Sequence, residues 1–259
     1  MVLKTAFGLL LCSSIPMWAI SAYTVTTSDQ FGTVNLSTGV FSFVGTAEVG
    51  STPESLSAGL AEVGGNLYGA ETGTGNFWEI NPASGALTSI GSSGEFQDLG
   101  STLTTIYVVG ANSELYSVNP SNGAFTDIGP TGLAEPGTSS LSTNSSTLYF
   151  AEYNSGYKLY TINTSTGAAT LVGSTATPIG ALMWDGTSVL YGAQEAPDPS
   201  SIITVNTTNG AVTTGSAVTG TASDLNGMAA IPAVSGVPEP GSWGLLGLGL
   251  LALGRLRRR

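Results

Sequence analysis

Three glutamates are the side chains of this sequence whose spacing best suits chemistry. Glu71 and Glu152 each follow a tyrosine by three residues, and Glu195 follows one by four. If these tyrosines mark repeated strands, the carboxylates lie at similar depth in neighbouring repeats. A ring of carboxylate oxygens suits Ca²⁺, and a pair of carboxylates can act as acid and base on a glycoside. The simpler interpretation, solvated loop acids, is favoured because the chain has no Asp-x-Asp-x-Asp-Gly loop.

The residue types that are missing exclude most other catalytic chemistry. The chain has no histidine, which removes the usual general base and the commonest transition-metal ligand. Its one cysteine, Cys12, lies near the N-terminus, and every arginine lies at the C-terminus. The body of the chain therefore offers no thiol nucleophile, no zinc thiolate and no bidentate clamp for phosphate. We expect no enzyme activity, and no cofactor beyond the Ca²⁺ considered above.

Four aromatic residues occupy equivalent or adjacent positions in a repeated pattern: Phe31, Trp78, Tyr116 and Tyr160. Large aromatic side chains contribute much of the packing in protein cores, so we expect these residues to pack between repeats. An exposed row of aromatic rings would instead be suited to stacking against a polysaccharide.

The elements that must position these residues are strands of a fivefold repeat. Each copy alternates apolar and polar residues, as a half-buried strand does, up to one asparagine: Asn35, Asn81, Asn119, Asn163 or Asn206. A glycine follows each asparagine by four residues, and both residue types tolerate the left-handed backbone of tight turns. A second glycine follows, and alternation resumes around it: Gly45, Gly91, Gly129, Gly173 or Gly215. Each copy is therefore predicted to be a β-hairpin.

A tyrosine-containing strand precedes each hairpin, and a further apolar strand precedes that one. Four strands every forty or so residues are the sequence signature of a β-propeller. We predict an all-β propeller of about five four-stranded blades, with a less regular β-solenoid or sandwich as the alternative. The four complete blades are predicted at residues 53–91, 95–129, 137–173 and 178–215. The fifth combines residues 223–231 with 23–45, which closes the ring and leaves no free sheet edge along the axis.

The hairpins resemble the LYxINP-x-TG units of bacterial propellers of the quinoprotein-like and virginiamycin-lyase-like kind, over residues 23–233. This resemblance implies a fold rather than an activity, because propellers host many functions. A lyase of the virginiamycin type depends on histidine, and sialidase-type propellers need an arginine cluster. Neither requirement is met in the body of this chain.

The N-terminal residues have the pattern of a secretory signal peptide. Lys4 precedes an apolar stretch, and small residues follow at Ala19, Ser21 and Ala22. A charged start, an apolar middle and a small-residue exit are typical of a cleaved export signal. We predict a signal helix within residues 1–22, with cleavage after Ser21 or Ala22. Lipid attachment at Cys12 is disfavoured because bulky leucines precede it.

The C-terminal residues form a three-part tail. A Pro238-Glu239-Pro240 tripeptide leads into the apolar run 241–254, and four arginines close the chain: Arg255, Arg257, Arg258 and Arg259. Proline keeps the tripeptide extended. The arginines would remain on the cytoplasmic side and stop the membrane helix. That helix would be about 21 Å long, shorter than the roughly 30 Å hydrocarbon core, and arginines that snorkel to the interface would cover part of the difference.

This tail resembles the PEP-CTERM sorting domain of Gram-negative bacteria, also called the ice-binding protein C-terminal domain. The resemblance rests on Val237 to Pro240, the Trp243-Gly244-Leu245-Leu246 start of the apolar run and the arginine-rich end. It implies processing at Pro238, Glu239 and Pro240 by an exosortase, a membrane-embedded cysteine protease. It also implies passage through the inner membrane to the cell surface or the extracellular matrix.

The predicted organisation is a signal peptide at 1–22, a repeat domain at 23–233 and a sorting tail at 234–259. Without Lys4, the terminal arginines and Glu239, 16 acidic residues remain against Lys158, a net charge of −15. Such a surface repels nucleic acid. We therefore predict a non-catalytic surface or matrix protein with a structural, adhesive or glycan-binding role. The alternatives are a propeller hydrolase or lyase that uses carboxylates and Ca²⁺, and an ice-binding protein.

Overall fold

The computed structural model describes residues 20–232, except 93, 103, 134–139, 144–146, 154–155 and 196–198. This part of the chain forms strands and turns and contains no helix. Twenty of its strands make five four-stranded antiparallel sheets, and the remaining two form a short ribbon. The prediction of an all-β, five-blade propeller is confirmed. The predicted signal helix and membrane helix lie outside the described residues.

The closing blade takes its strands from both ends of the described chain, in the order β22-β1-β2-β3. Its strands are β1 (Ser21–Thr26), β2 (Gln30–Asn35), β3 (Phe41–Thr46) and β22 (Leu225–Ala230). The ribbon that follows β3 comprises β4 (Glu48–Val49) and β5 (Thr52–Pro53). The predicted pairing of residues 223–231 with 23–45 is therefore confirmed, because Tyr23 pairs with both Thr33 and Ala229.

The other four blades follow one another along the chain. Blade 1 comprises β6 (Gly59–Val63), β7 (Asn66–Ala70), β8 (Asn76–Ile80) and β9 (Leu87–Ser92). Blade 2 comprises β10 (Phe96–Ser101), β11 (Ile106–Gly110), β12 (Glu114–Val118) and β13 (Phe125–Pro130). Blade 3 comprises β14 (Ser140–Thr143), β15 (Leu148–Glu152), β16 (Lys158–Ile162) and β17 (Ala169–Ser174). Blade 4 comprises β18 (Ile179–Trp184), β19 (Leu190–Gln194), β20 (Ser201–Val205) and β21 (Val212–Ala217).

One edge strand of each sheet, the first in its spatial order, lines the propeller axis. These inner strands are β6, β10, β14, β18 and β22, and each contacts the inner strands of its two neighbouring blades. Their backbones approach so closely that side chains are excluded at some points. A Cβ atom on Gly227 of β22 would lie 2.9 Å from Cα of Gly59 in β6. Glycine at this position therefore allows the ring to close tightly.

Apolar side chains form a buried cluster between each pair of neighbouring blades. Between blades 1 and 2, for example, the rings of Tyr68 and Phe77 stack with centroids 5.5 Å apart, and those of Phe77 and Phe96 with centroids 5.7 Å apart. Phe77 and Phe96 are fully buried. Each such side chain contributes about 1.5–3 kcal/mol through burial, so blade-to-blade packing stabilises the ring throughout.

The five repeat asparagines form one and the same turn. In each turn the asparagine Oδ1 accepts a hydrogen bond from the backbone N–H two residues later, at 2.8–3.0 Å. The N–H of the turn glycine donates to the asparagine carbonyl oxygen at 2.8 Å in all five copies. The turn glycines have φ of 71–80°, a region that glycine adopts without steric cost. The predicted turn role of asparagine and glycine is confirmed.

The second glycine of the repeat has a role between blades. A Cβ on Gly129 of β13 would lie 2.7 Å from the carbonyl oxygen of Thr166, in the turn of the next blade. At Gly45, Gly91 and Gly173 the next blade's turn approaches closer still. Each turn therefore docks against the outer strand of the blade before it, at a point where only glycine leaves room. Where the ring closes, the turn of Gly39 meets the backbone of Ala217 instead.

Candidate functional site

The three glutamates singled out by their spacing occupy separate environments. Within the described parts of the chain, no three acidic side chains lie close enough together to hold one metal ion. Glu71 accepts hydrogen bonds from its own loop, at 2.7 Å from the hydroxyl of Thr74 and 3.3 Å from the amide of Asn76. Its interactions are those of a loop acid, as the simpler interpretation predicted.

Glu152 is only 4% exposed, so the interpretation of this residue as a solvated loop acid is wrong. It is the last residue of β15, and its Oε2 accepts a hydrogen bond of 3.2 Å from the hydroxyl of Tyr160. Burial, followed by the negative charge of Glu152, raises the pKa of Tyr160. The tyrosine is thus held as a neutral donor that satisfies a buried carboxylate.

Glu195 directly follows β19, and its Cβ and Cγ lie near Gly180 of the inner strand β18. Burial raises the pKa of this carboxyl group. The charge of Glu195 is in turn the main cause that raises the pKa of Tyr153, in the preceding blade. Glu195 therefore lies at the junction of blades 3 and 4, away from the loop that contains Glu71.

The four aromatic residues fall into two pairs. Phe31 is 0% exposed and Trp78 4% exposed, so the predicted packing role is confirmed for both. Tyr116 and Tyr160 are half-buried, and each packs against a cluster between two blades, so the predicted role holds for them in part. The structure does not form a continuous exposed row of the four rings, but Tyr116 borders an open groove.

This groove, here called the Tyr116 groove, lies between the segment that leads into β10 and the β11–β12 hairpin. It has a volume of about 460 Å³ and is lined by Gly94, Glu95, Gly110, Ala111, Asn112, Tyr116, Ala124 and Phe125. The volume lies within the usual range of small-molecule sites, about 300–1,000 Å³. The rings of Tyr116 and Phe125 are 5.3 Å apart and tilted by 35°. They form the aromatic wall of the groove.

Two glycines let these rings lie directly on the backbone. A Cβ on Gly110 would lie 3.0 Å from a ring carbon of Tyr116, and a Cβ on Gly94 would lie 2.8 Å from a ring carbon of Phe125. Gly110 takes the position, three residues after the repeat tyrosine, at which blades 1 and 3 carry Glu71 and Glu152. The missing side chain in blade 2 is thus part of what opens the groove.

A triangle of hydrogen bonds forms the polar end of the groove. The Nδ2 atom of Asn112 donates to Oε2 of Glu114 at 2.6 Å and to the hydroxyl of Tyr116 at 2.7 Å, and that hydroxyl donates to the same Oε2 at 2.7 Å. Burial raises the pKa of Tyr116, as do the charges of Glu114 and Asp127, whereas the bond from Asn112 lowers it. The net direction is upward, so the hydroxyl stays protonated and remains a donor.

A second cavity, of about 390 Å³, lies on the propeller axis where the inner strands end. Its lining includes Leu60, Leu141, Met183 and Met228 of the inner strands, and also Pro232. Towards the beginnings of the inner strands the axis narrows to a space of about 10 Å³. The cavity is therefore a pocket open mainly at one end, the end from which the chain leaves the propeller.

Exposed threonines on the outer strands are spread around the ring. Thr88, Thr126 and Thr170 lie on β9, β13 and β17, one in each of blades 1 to 3, and Thr213 and Thr214 lie on β21 of blade 4. Ice binding requires a flat array of such side chains, and residues on four different blades do not form one. This distribution gives no support to the ice-binding alternative.

The predicted processing residues lie largely outside the described structure. Pro238, Glu239, Pro240 and the terminal arginines are beyond residue 232, and no helix in the described part could span a membrane. Ser21 and Ala22, proposed at the signal cleavage site, are the first two residues of β1. Ala22 is fully buried.

Fold and tail together define a class, a five-blade β-propeller with a C-terminal sorting signal. The PEP-CTERM protein-sorting motif matches residues 236–259. The motif implies an exosortase-sorted protein, exported to the cell surface or the extracellular space of a Gram-negative bacterium. No curated protein matches the chain.

A solved structure of a nidogen/laminin complex supports the fold alone. A chain of a nidogen/laminin complex is 14% identical, with a TM-score of 0.51 over 81% of this chain and 97% of that one. The extracellular domain of a hybrid two-component system of B. thetaiotaomicron is 16% identical, with a TM-score of 0.42 over 75% of this chain. The present chain spans 26% of that domain's length.

Proposed function

We propose that this protein is a non-catalytic, exported β-propeller that serves a structural or adhesive role, including glycan binding, at the cell surface or in the extracellular matrix. The sorting motif at residues 236–259 carries the proposal. The body of the chain has no histidine, cysteine or arginine, and its described acidic residues form no group of three that could hold a metal. An open groove with an aromatic wall offers a binding surface in place of a catalytic centre.

Three segments have separate roles in this proposal. The N-terminal segment, cleaved after Ser21 or Ala22, directs export, and the propeller forms the working body. Residues 234–259 hold the chain in the inner membrane until an exosortase cuts at Pro238–Pro240. Pro240 is the eighth residue after Pro232, and eight residue steps of extended chain span at most about 29 Å. Before cleavage, the end of the propeller with the axial cavity would therefore lie close to the membrane.

The intact mass of the protein from the envelope and medium of its native host tests the proposal. We expect a C-terminus near Pro240 and the loss of the signal peptide. Replacing Pro238, Glu239 and Pro240 together by alanine should leave the apolar tail attached and hold the protein in the membrane fraction. A chain found in the cytoplasm with both ends intact would contradict the proposal. A chain that keeps Trp243 to Arg259 at the surface would instead indicate an anchored scaffold.

A further inference from the structure

The Tyr116 groove combines an aromatic wall with a fixed set of polar groups. Ligand sites are typically concave, with aromatic and apolar walls and a few placed polar groups that set orientation. The rings of Tyr116 and Phe125 supply the wall, and both are half-buried, so their positions are fixed by packing. Phe125 also packs edge-on against the buried Phe96, with centroids 4.9 Å apart. This support holds the wall rigid before any ligand arrives.

The polar end of the groove is equally fixed. Asn112, Glu114 and Tyr116 hold one another through three hydrogen bonds of 2.6–2.7 Å. These bonds use a single oxygen of Glu114, Oε2, so the other oxygen takes no part in the triangle. Preorganised polar groups lose little side-chain entropy when a ligand binds. Both N–H groups of the Asn112 amide are used in the triangle, so a ligand with neighbouring hydroxyl groups can donate to the second carboxylate oxygen of Glu114 and to Oδ1 of Asn112.

Charge decides the class of ligand. Glu95 lines the groove, and Glu114 accepts hydrogen bonds from two of its lining residues, Asn112 and Tyr116. Asp127 is near enough to raise the pKa of Tyr116. The only basic side chain in the described part of the chain is Lys158, on β16 of blade 3. A carboxylate, sulfate or phosphate group on a ligand would meet acidic groups without a cation to pair with, which is unfavourable.

We propose that the Tyr116 groove binds a sugar ring of an uncharged glycan. The apolar face of the sugar lies against Tyr116 and Phe125, and its hydroxyl groups bond to Asn112 and Glu114. This inference rests on the proposed function, of which it names the binding site and the ligand class.

Blade 3 shows why the groove occurs in blade 2. Tyr160 of β16 corresponds to Tyr116, and its hydroxyl also bonds to a glutamate, at 3.2 Å. That glutamate, Glu152, is buried and occupies the repeat position that is Gly110 in blade 2. Tyr160 thus keeps the tyrosine–glutamate bond in a blade where a buried glutamate stands in place of Gly110, and it serves as a matched control.

The test is isothermal titration of the full chain in a detergent without a sugar head group, since an alkyl glycoside would compete. Maltohexaose and cellohexaose are the uncharged probes, and an alginate hexamer is the charged one. We expect saturable binding of at least one uncharged probe and none of alginate. Asn112→Ala should weaken binding about tenfold, the effect of roughly one lost hydrogen bond to the sugar. Tyr116→Phe should weaken binding to a similar degree, because it removes the hydroxyl that holds Asn112 and Glu114 in place. Tyr160→Phe should change the affinity less than about twofold, which is near zero in free energy.

Three results would overturn the inference. The first is an affinity unchanged in both Asn112→Ala and Tyr116→Phe. The second is alginate binding as strong as that of the uncharged probes. The third is no binding of either uncharged probe at about 10 mM, above the range in which weak millimolar sites fill. Asn112 is exposed, so its variant should fold even if the Tyr116 variant does not. If the protein is processed and exported but binds none of these probes, the groove is not a glycan site and the proposed surface function still stands.

Discussion

Folding shifts the pKa values of two carboxyl groups of blade 4 in opposite directions. Burial raises the pKa of Glu195. Burial also acts to raise the pKa of Asp185, but hydrogen bonds from the backbone N–H groups of Val189, Thr187 and Ser188 and from the Thr187 hydroxyl outweigh it and lower that pKa. A raised carboxyl pKa means that ionisation opposes folding, and a lowered one means that ionisation favours it. The two residues therefore have opposite effects on stability as a function of pH.

We predict that Glu195→Gln stabilises the protein at neutral pH. Above the ordinary value of 4.5 the unfolded chain ionises before the folded one, so this group lowers stability as pH rises through its folded pKa. Glutamine has nearly the same shape and no charge. Thermal unfolding should show a higher Tm for the variant at pH 7 and little difference at pH 3. A lower Tm at pH 7 would contradict this account of the residue.

Asp185→Ala is expected to destabilise the protein by about 1 kcal/mol at pH 7, because a turn loses its side-chain acceptor. The folded pKa lies below the ordinary value of 3.8, so the contribution of ionisation is complete above that value and disappears as pH falls through the folded pKa. Urea unfolding at pH 7 and pH 3 measures the difference. Asp185→Asn keeps an acceptor oxygen and should lose less, and a loss that does not depend on pH would argue against the ionised form.

At the scale of strands and hairpins, the two repeat glycines show what sequence could and could not predict. The turn glycine bonds to the asparagine of its own hairpin, four residues earlier, so the local sequence pattern is sufficient to predict its role. The second glycine is required by a turn in the next blade, which packs against it; Gly129, for example, lies against the backbone of Thr166. The spacing of this glycine can be recognised in the sequence, but the contact that requires a glycine there forms only when the ring is assembled. The Tyr116 groove was missed for the same cause, since Gly94 and Phe125 meet across a blade junction.

Gly173→Ala should destabilise the protein by about 1–3 kcal/mol, the usual cost of forcing extra volume into a packed site. The new Cβ would overlap the carbonyl oxygen of Asn209, a backbone atom that cannot rotate away. Gly215→Ala is the matched control at the same repeat position of blade 4, where the Cβ would lie 3.0 Å from the carbonyl oxygen of Ile202. Chemical denaturation should show the smaller loss for the control. Equal losses would mean that docking of the turn is not the cause.

At the scale of the whole molecule, the ring is closed by two strands from opposite ends of the described chain. β22 is the inner strand of the closing blade, and Leu225 and Met228 belong to the cluster shared with blade 4. The number of blades and this closure could be predicted from sequence, because five hairpins were preceded by only four complete sets of inner strands. Ala22 and Ala230 are paired, so both chain ends leave the propeller side by side.

Truncation before Leu225 should abolish cooperative unfolding, since β1 loses one of its two partner strands and the axis loses one of its five inner strands. Truncation after Pro232 removes only the tail and should leave the transition intact. Circular dichroism during heating distinguishes the two. Similar melting of both forms would show that the ring tolerates an open blade.

The burial of Ala22 also limits where the signal peptide is removed. Cleavage after Ala22 would delete a residue that pairs on both sides in the closing blade, whereas cleavage after Ser21 would retain it. We therefore expect the N-terminus of the mature chain no later than Ala22. N-terminal sequencing of the exported protein checks this, and a start at Tyr23 would contradict it.

The closing blade, which takes strands from both ends of the described chain, sets the timing of folding. A chain that emerges N-terminus first, from a ribosome or an export channel, presents β1 early, but its partner β22 arrives some two hundred residues later. Until then the first blade to appear is also the last that can be completed. The ring therefore stays open for nearly the whole time that the chain passes through an export channel. It can close only when β22, directly before the tail, has emerged.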